Sequence, residues 1–192
     1  MSETGFATSI ETPRLWLRCP LPGDGEMVHQ GVAESLRQLR EWPDSLPWAQ
    51  NEQSVRVSED YCQTCFAACV MQVAWPLLVF DKATQSFMGT VGFHHIDWSR
   101  QVWELGYWCR LSFQRQGRMT EPVHALSRLA SDGWPEMQLT ARVDQRNTGS
   151  IKVLQRAGYV LVKQEDLADA SGEQRTVLHH AWGRELHTGQ ST

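Results

Sequence analysis

The sequence has little that would place it in a membrane or on a nucleic acid. No stretch approaches the roughly 18 to 20 uninterrupted apolar residues of a membrane-spanning helix, and the opening MSETGFATSIETPRL lacks the basic and apolar blocks of a signal peptide. Its 18 basic side chains are outnumbered by 22 acidic ones, so the formal charge is -4 and there is no basic excess for general nucleic-acid binding. We expect a cytoplasmic protein with neither a membrane nor a nucleic acid as its partner.

Cysteine is also scarce, and the five cysteines, odd in number, do not suggest a disulfide framework. Cys62, Cys65 and Cys69 recur at spacings of three and four, which places them on one face of a predicted helix and raises a metal site as an alternative. No second CxxC or HxxxH follows in the sequence, and free cysteine is among the most buried residue types. We therefore predict reduced core cysteines and no bound metal.

What the sequence does have is the composition of an ordinary globular protein, 41% hydrophobic and 21% charged. A chain of 192 residues fits one domain. We predict a single domain over residues 1–192, with a folded core at about 10–183 and a flexible tail at 184–192.

Hydrophobic periodicity predicts seven strands and four helices. The strands are expected at 14–18, 77–80, 87–96, 102–111, 138–144, 159–164 and 175–182. The helices are expected at 24–40, with Asp24 as N-cap, and at 51–74, 119–131 and 150–158. Early antiparallel strands followed by an alternation of strands and helices indicate an α/β (α+β) fold, with a mixed central sheet of about seven strands flanked by helices.

The segment GYWCRLSFQRQGRMTEPV, residues 106–123, carries the first chemical signal. An apolar strand runs into a polar, glycine-containing turn that opens a helix, and the backbone N–H groups and helix dipole at such a turn favour an anion such as a pyrophosphate. Gly117 would let the main chain approach the phosphates, while Arg115 and Arg118 would pair with their oxygens. A solvated turn without a ligand is the alternative.

The segment DQRNTGSIKVLQRAGYV, residues 144–160, carries the second signal. Asn147 and Ser150 lie between a strand end and an amphipathic helix that ends at Gly158. Asn147 is available to hydrogen-bond an amide-bearing ligand and Ser150 to donate a proton. In the alternative interpretation, one of the two simply caps the helix.

The order GYW, QRQGRMTE, a strand and DQRNTGSIKVLQRAGY resembles the GNAT acetyltransferase superfamily, and within it the branch similar to the RimJ/RimL ribosomal-protein N-terminal acetyltransferases. ETPRLWLR resembles the first strand of that branch and FMGTVGFHHID its third, so the resemblance covers roughly residues 10–183. It implies the GNAT acyl-CoA N-acyltransferase fold, with acetyl-CoA as co-substrate and no metal.

In that family a Gln/Arg-x-x-Gly-x-(Gly/Ala) element binds the CoA pyrophosphate through backbone amides, and pantetheine lies between the strand that precedes it and the strand QLTARVD. The cofactor-binding residues implied are Trp108, Cys109, Gln114, Arg115, Gln116, Gly117, Arg118, Met119, Thr120, Asn147 and Ser150. Arg115 stands where glycine is frequent, which argues against a positive φ there. Pro122 confines the start of the next helix to about residues 118–120.

The resemblance also implies direct attack by an amine in a ternary complex, with Cys109 as a backbone contact and core side chain and not as a nucleophile. Our candidate general base is Glu104, acting through water, and our candidate acid for the CoA thiolate is Ser150. Four histidines near strand ends are alternative bases or substrate ligands, namely His94, His95, His179 and His180.

The resemblance implies an acceptor pocket built largely by the first two helices and their connecting loop at 40–51, together with the C-terminal strands. Its predicted walls are Trp42 and Trp48, and the residues predicted to attract a cationic amine are Glu41, Asp44 and Glu52. The acceptor stays open among a protein N-terminal α-amine, a polyamine, an aminoglycoside and an amino acid. A non-catalytic acetyl-CoA-binding module is the alternative from another class, and a homodimer is an open alternative for the assembly.

Overall fold

The computed structural model of the protein describes residues 5–168 and 174–183. Within this part, the chain forms one eight-stranded sheet and four α-helices. The strands are β1 (Ser9–Glu11), β2 (Leu15–Arg18), β3 (Trp75–Asp81), β4 (Phe87–Asp97), β5 (Val102–Cys109), β6 (Gln138–Asp144), β7 (Tyr159–Ala168) and β8 (Gln174–Trp182). The helices are α1 (Gly25–Leu39), α2 (Val55–Val70), α3 (Thr120–Gly133) and α4 (Thr148–Ala157), with 3-10 turns at Pro47–Gln50 and Leu111–Phe113. The tail predicted at 184–192 lies outside the described residues.

The sheet is mixed, with the strand order β1-β2-β3-β4-β5-β6-β8-β7. Every neighbouring pair is antiparallel except β5 and β6, which run parallel. The predicted mixed sheet flanked by helices is therefore confirmed. The strand beyond the predicted seven is β1, whose three residues are too few to show an alternating pattern in the sequence.

β3 forms the centre of the core, and all seven of its residues are buried. Successive side chains of a strand point to opposite faces of the sheet. Leu77 and Val79 accordingly pack in the cluster that contains α3 and α4, while Leu78 and Phe80 pack in the cluster that contains α1 and α2. The sheet is thus the middle of three layers, with one helix pair on each face.

The N-terminus of α1 is held by α2 as well as by its own cap residue. Asp24 is at the predicted N-cap position and its carbonyl accepts from the Val28 N–H at 3.0 Å, but its carboxylate accepts from Arg18 at 2.6 and 2.7 Å and makes no capping bond to the helix. Glu59 of α2 takes its place by accepting from the N–H groups of Gly23 and Gly25 at 2.9 and 3.0 Å. A Cβ on Gly25 would lie 2.6 Å from Glu59, so the two helices touch there.

α2 is shorter than predicted because the segment before it forms a turn of its own. Pro47 starts a 3-10 turn, and Ser54 then caps α2 by accepting from the N–H of Val57 at 3.2 Å. The three cysteines of α2 are free and buried, which confirms them as core residues. Residues 5–168 and 174–183 contain no cluster of three or more potential metal ligands.

α3 and α4 begin and end where their proline and glycine predict. α3 starts at Thr120 with Pro122 in its first turn, where a backbone N–H would have no helical partner. α4 is followed by Gly158, whose φ of 105° is the left-handed conformation of a helix C-terminus. None of the helices in the described part of the chain is long and apolar enough to cross a membrane.

Candidate active site

β5 and β6 separate halfway along β5, and the site is built around this opening. Their parallel pairing ends where Glu104 lies opposite Thr140, whereas β5 stays paired with β4 as far as Cys109. At the fork, Arg142 Nε donates to Glu104 Oε1 at 2.9 Å, and Thr140 Oγ1 donates to the Trp103 carbonyl at 3.2 Å. Beyond it, the β6-facing edge of β5 pairs with no described strand, so main-chain groups there are available to a ligand, except the Cys109 carbonyl, which accepts from Gln114 Nε2 at 2.8 Å.

A cavity of about 640 Å³ occupies this opening. It is lined by the end of β5, the loop that follows, the N-termini of α3 and α4, and the C-terminal end of α1. It brings together all but one of the predicted cofactor-binding residues, namely Trp108, Cys109, Gln114, Arg115, Gly117, Arg118, Met119, Thr120, Asn147 and Ser150. Gln116 does not line it, and its Nε2 donates instead to the Ser112 carbonyl at 3.0 Å.

This first cavity is cationic in a protein whose formal charge is -4. Among the described residues that line it there is no aspartate or glutamate. The basic side chains of the lining are Arg115, Arg118, Arg146, Lys152 and Arg156, of which Arg118 and Arg146 are paired with Asp81 and Asp144 outside the cavity lining. The N-termini of α3 and α4 add their partial positive charge, so the cavity favours an anionic ligand.

The loop between β5 and α3 has the backbone of an anion-binding nest. Arg115 and Gly117 both lie in the left-handed region, with φ of 60° and 65°. The expectation that arginine argues against a positive φ at 115 is wrong, because the loop is fixed beside it, where Gln114 Nε2 donates to the Cys109 carbonyl at 2.8 Å. A Cβ on Gly117 would meet nothing within 4 Å, so a lack of space does not require glycine there. Glycine instead allows the left-handed main chain and leaves that main chain uncovered by a side chain.

Arg118 ties the same loop to the sheet. Its Nη1 donates to Asp81 Oδ2, on a buried aspartate at the end of β3. Burial by itself would raise the pKa of Asp81, but the hydrogen bonds from the Ala83 N–H and from Arg118 outweigh that effect and hold the pKa below its usual value. The guanidinium that was predicted to pair with phosphate is therefore already bonded to a carboxylate.

The start of α4 contributes a cap and a hydroxyl pair. Asn147 Oδ1 accepts from the Ser150 N–H at 3.1 Å, so Asn147 is the helix cap, while its Nδ2 takes no part in that bond. The hydroxyls of Ser150 and Tyr107 lie 2.6 Å apart, and the Tyr107 hydroxyl is also 3.0 Å from the Ser150 carbonyl. Burial raises the pKa of Tyr107, which keeps its hydroxyl protonated at neutral pH.

Sequence reasoning missed Tyr107 as a functional candidate. The available signal was a tyrosine on the strand that leads into the predicted anion-binding turn. Nothing in the sequence, however, shows that this strand brings Tyr107 to the first turn of α4, 43 positions further along the chain.

A second cavity, of about 400 Å³, lies between α1, α2, the 3-10 turn at Pro47–Gln50 and strands β4 and β5. It shares Leu46, Tyr107 and Trp108 with the first cavity. The two cavities therefore meet beside the opening of the sheet.

Glu104 lines this second cavity together with His94 and His95. His94 is the extra residue of a bulge in β4, because the pairing with β5 skips it. Its ring lies over Gly106, where an added Cβ would be 3.0 Å from His94 Cδ2. Desolvation by the protein around the ring, together with the nearby His95, lowers the pKa of His94, although the side chain opens into the cavity.

The second cavity differs in its charge from the predicted acceptor pocket. Trp48 lines the second cavity as expected, whereas Trp42 lines the first. The acidic residues expected to attract an amine, Glu41, Asp44 and Glu52, line neither cavity, and the described residues of β7 and β8 do not either. Both β8 histidines lie elsewhere, since His179 Nε2 is 3.1 Å from Glu165 Oε2 and His180 is buried.

Cys109 lies on the first cavity as a protonated thiol. Burial raises its pKa to about 12, so almost none of it is thiolate at neutral pH. This state fits a structural side chain and is unfavourable for a nucleophile.

The sequence matches the family model described as an acetyltransferase (GNAT) domain over residues 14–160, from just before β2 to the start of β7. The chain therefore belongs to the GNAT acetyltransferase family. No curated protein sequence matches it.

Solved structures share the fold at low sequence identity. A RimL ribosomal L7/L12 α-N-protein acetyltransferase in complex with coenzyme A matches with a TM-score of 0.81 and 22% identity, over 92% of this chain and 98% of that one. The microcin C7 self-immunity acetyltransferase MccE, in complex with acetyl-CoA and AMP, matches with a TM-score of 0.78 and 17% identity, over 88% and 92%. The acetyltransferase from Salmonella typhimurium that modifies the N-terminal serine of ribosomal protein L7/L12 matches with a TM-score of 0.75 and 21% identity, over 88% and 95%.

As a member of this family, the protein is an N-acetyltransferase that uses acetyl-CoA as its co-substrate. The first cavity fits that molecule, because CoA carries a diphosphate and a further phosphate, and the cavity offers basic side chains, two helix N-termini and an open main chain at Gly117. Its family and fold match the resemblance found in the sequence.

Proposed function

We propose that the protein transfers the acetyl group of acetyl-CoA directly to a primary amine, with the cofactor in the first cavity and the acceptor in the second. The observation that supports this is the meeting of the two cavities at Tyr107 and Trp108, beside the opening between β5 and β6. A thioester placed there has the acceptor on one side and the Ser150 hydroxyl on the other. Two reactants aligned in this way need no covalent enzyme intermediate.

The main chain of residues 115–119 and the N-terminus of α3 hold the pyrophosphate in this proposal, with charge added by Lys152 and Arg156. The pantetheine amides pair with the open edge of β5 at Cys109, because the main chain of Trp108 faces Thr90 of β4. Asn147 contributes its Nδ2 to the same chain, since its Oδ1 is used by the helix cap. The phosphate sites therefore depend more on backbone groups than on the two arginines named from the sequence.

The reaction begins with an ammonium ion that loses a proton, through water, to Glu104. The neutral nitrogen attacks the thioester carbonyl, so that a C–N bond forms and the C–S bond breaks. Ser150, supported by Tyr107, donates a proton to the departing sulfur. The nitrogen loses two protons overall. The CoA thiol gains one proton in exchange, and the second is released to solvent.

The acceptor amine belongs either to a protein N-terminus or to a small molecule. Structures of the same fold include acetyltransferases of ribosomal proteins and one of microcin C7 self-immunity. The predicted single domain over residues 1–192 is part of this proposal, since every described strand lies in one sheet.

Initial velocities measured over a grid of acetyl-CoA and acceptor concentrations test direct transfer. Intersecting double-reciprocal lines are expected, because both substrates must be bound before the chemical step. Parallel lines, together with an acetylated protein seen by mass spectrometry, would contradict the ternary complex.

The role of Glu104 is tested by Glu104→Gln. We expect kcat to fall by about 100-fold or more, with the Kd for acetyl-CoA changed by no more than about twofold, because Glu104 lines only the second cavity. Glu41→Gln removes a carboxylate that lines neither cavity and is the matched control. Should His94→Gln abolish turnover while Glu104→Gln retains it, His94 is the base and our assignment of Glu104 is wrong.

A further inference from the structure

The charge of the second cavity limits the acceptors that it can hold. Among the described residues that line it there is no lysine or arginine, and Glu104 is the single carboxylate. That carboxylate is already hydrogen-bonded to Arg142 at the fork of the sheet. A second ammonium group, or a carboxylate, on the acceptor would be removed from water without an ionic partner, which is unfavourable.

The walls of the second cavity are mostly apolar and aromatic. Trp48 faces Trp108 with ring centroids 6.2 Å apart, and Phe87 supports Trp108 from behind with an edge-to-face contact at 5.8 Å. The other apolar lining residues are Val28, Val32, Leu46, Pro47, Val57, Tyr61, Leu105 and Tyr107. Trp108 makes aromatic contacts with both Trp48 and Phe87, so these walls offer a rigid surface for a ring.

The carboxylate and the imidazoles of the lining come from the strands, whereas the helix layer contributes only uncharged polar groups, at Ser45, Asn51, Gln53 and Ser58, beside its apolar residues. Glu104, His94 and His95, which can accept or exchange a proton, belong to the strands. Most of the apolar lining belongs to α1, α2 and the 3-10 turn that cover the strands. An acceptor bound here directs its amine to the sheet and its body to the helices.

The volume of the cavity sets the size of that body. At about 400 Å³ it lies near the lower end of the roughly 300–1,000 Å³ typical of small-ligand sites. The cavity therefore fits one ring system with a short amine-bearing chain. A methyl or hydroxymethyl group in place of the ring would leave most of this volume unfilled.

Resting on the proposed function, we infer that the acceptor is a primary amine on an apolar, ring-sized body that carries no second charge. The same chemistry is offered by a free arylalkylamine and by a peptide whose first residue is aromatic. In both, the ring packs between Trp48 and the helices while the amine reaches Glu104.

A matched set of acceptors tests this inference on the wild-type protein, with release of the CoA thiol as the readout. The set comprises phenethylamine, ethylamine, putrescine, phenylalanine, and two tetrapeptide amides that begin with phenylalanine or serine. We expect kcat/KM for phenethylamine to exceed that for ethylamine, putrescine and phenylalanine by about 100-fold or more, because one missing methylene alone costs about 10- to 200-fold in an apolar pocket. The two peptides distinguish a free arylalkylamine from a protein N-terminus as the source of the amine. The phenylalanine peptide is acetylated only if the acceptor is a protein N-terminus.

Two variants of Trp48 test whether the preference for a ring-bearing amine depends on the aromatic wall of the second cavity. Trp48→Ala is expected to lower kcat/KM for phenethylamine by about tenfold or more while that for ethylamine stays within about threefold, and Trp48→Phe is expected to restore most of the loss. Trp98→Ala removes an exposed tryptophan that lines neither cavity and is the control for general effects on folding.

The outcomes separate this inference from the proposed function. Preferred acetylation of putrescine, of phenylalanine or of the serine peptide overturns the inference and leaves the acetyltransfer proposal standing. CoA binding without acetylation of any member of the set also overturns it. Absence of CoA binding in a calorimetric titration would remove the proposed cofactor site itself.

Discussion

Gly117→Ala is the sharpest perturbation of the cofactor site. The residue has a φ of 65° and an added Cβ would meet no protein atom within 4 Å, so the change strains the main chain without a clash. A left-handed conformation costs a residue with a Cβ roughly 1–2 kcal/mol. If the loop relaxes, CoA binding must restore the nest at that cost, which weakens affinity by about 5- to 30-fold. If the loop stays in place, the cost appears in the free energy of unfolding, as a fall of about 2–8 °C in Tm, and the new methyl group faces the phosphate site.

Gly183→Ala is the matched control, because its φ is 62° and an added Cβ again meets nothing within 4 Å. It lines neither cavity, so it should lower Tm in the same way and leave CoA affinity unchanged. Isothermal titration with CoA and thermal unfolding of the three proteins give both quantities. A Gly117→Ala protein that has the Tm of the wild type and also binds CoA within about twofold of wild type would refute the assignment of this loop to the pyrophosphate.

Two further perturbations address the hydroxyl pair and the loop anchor. Ser150→Ala and Tyr107→Phe are each expected to lower the single-turnover rate by about tenfold or more. The double variant should be no slower than Ser150→Ala, because the two hydroxyls act through one hydrogen bond. Additive losses in the double variant would show that the two hydroxyls act separately. Asp81 has a lowered pKa in the folded state, so its contribution to stability is present above the unfolded value of about 3.9 and is lost as the pH falls through its folded pKa. Thermal unfolding from pH 6 to pH 3 should therefore show a steeper acid loss for the wild type than for Asp81→Asn, and equal slopes would contradict the role of the bond between Asp81 and Arg118.

Much of the fold was accessible from the sequence because its strands and helices have clear periods and clear stops. β6 begins and ends where the pattern QLTARVD predicts, and Gly158 ends α4 in the conformation that its lack of a side chain allows. The motif around Gly117 predicted one wall of the first cavity, since residues that are adjacent in sequence line it together.

Several of the features that were wrong or missed depend on contacts between distant segments. The Asp24 carboxylate was available to cap α1, but Arg18 binds it and Glu59 of α2 caps the helix instead. Arg118 was available for phosphate, but Asp81 lies beside it in the fold. Local propensity identifies what a side chain is able to do, and tertiary contacts decide which of those options is used.

The opening between β5 and β6 is held by the different partners of the two strands. β5 is paired with β4 along its whole length, and its end is fixed to α1 because Arg110 Nε donates to Glu34 Oε2 at 2.5 Å and the Leu111 N–H donates to Ser35 Oγ at 2.9 Å. β6 leaves at Thr140 towards β8, with which it pairs from that residue onward. Each strand is thus held by a different partner beyond the fork. Main-chain groups fixed in this way are preorganised for a ligand, so little of the binding free energy is spent on arranging them.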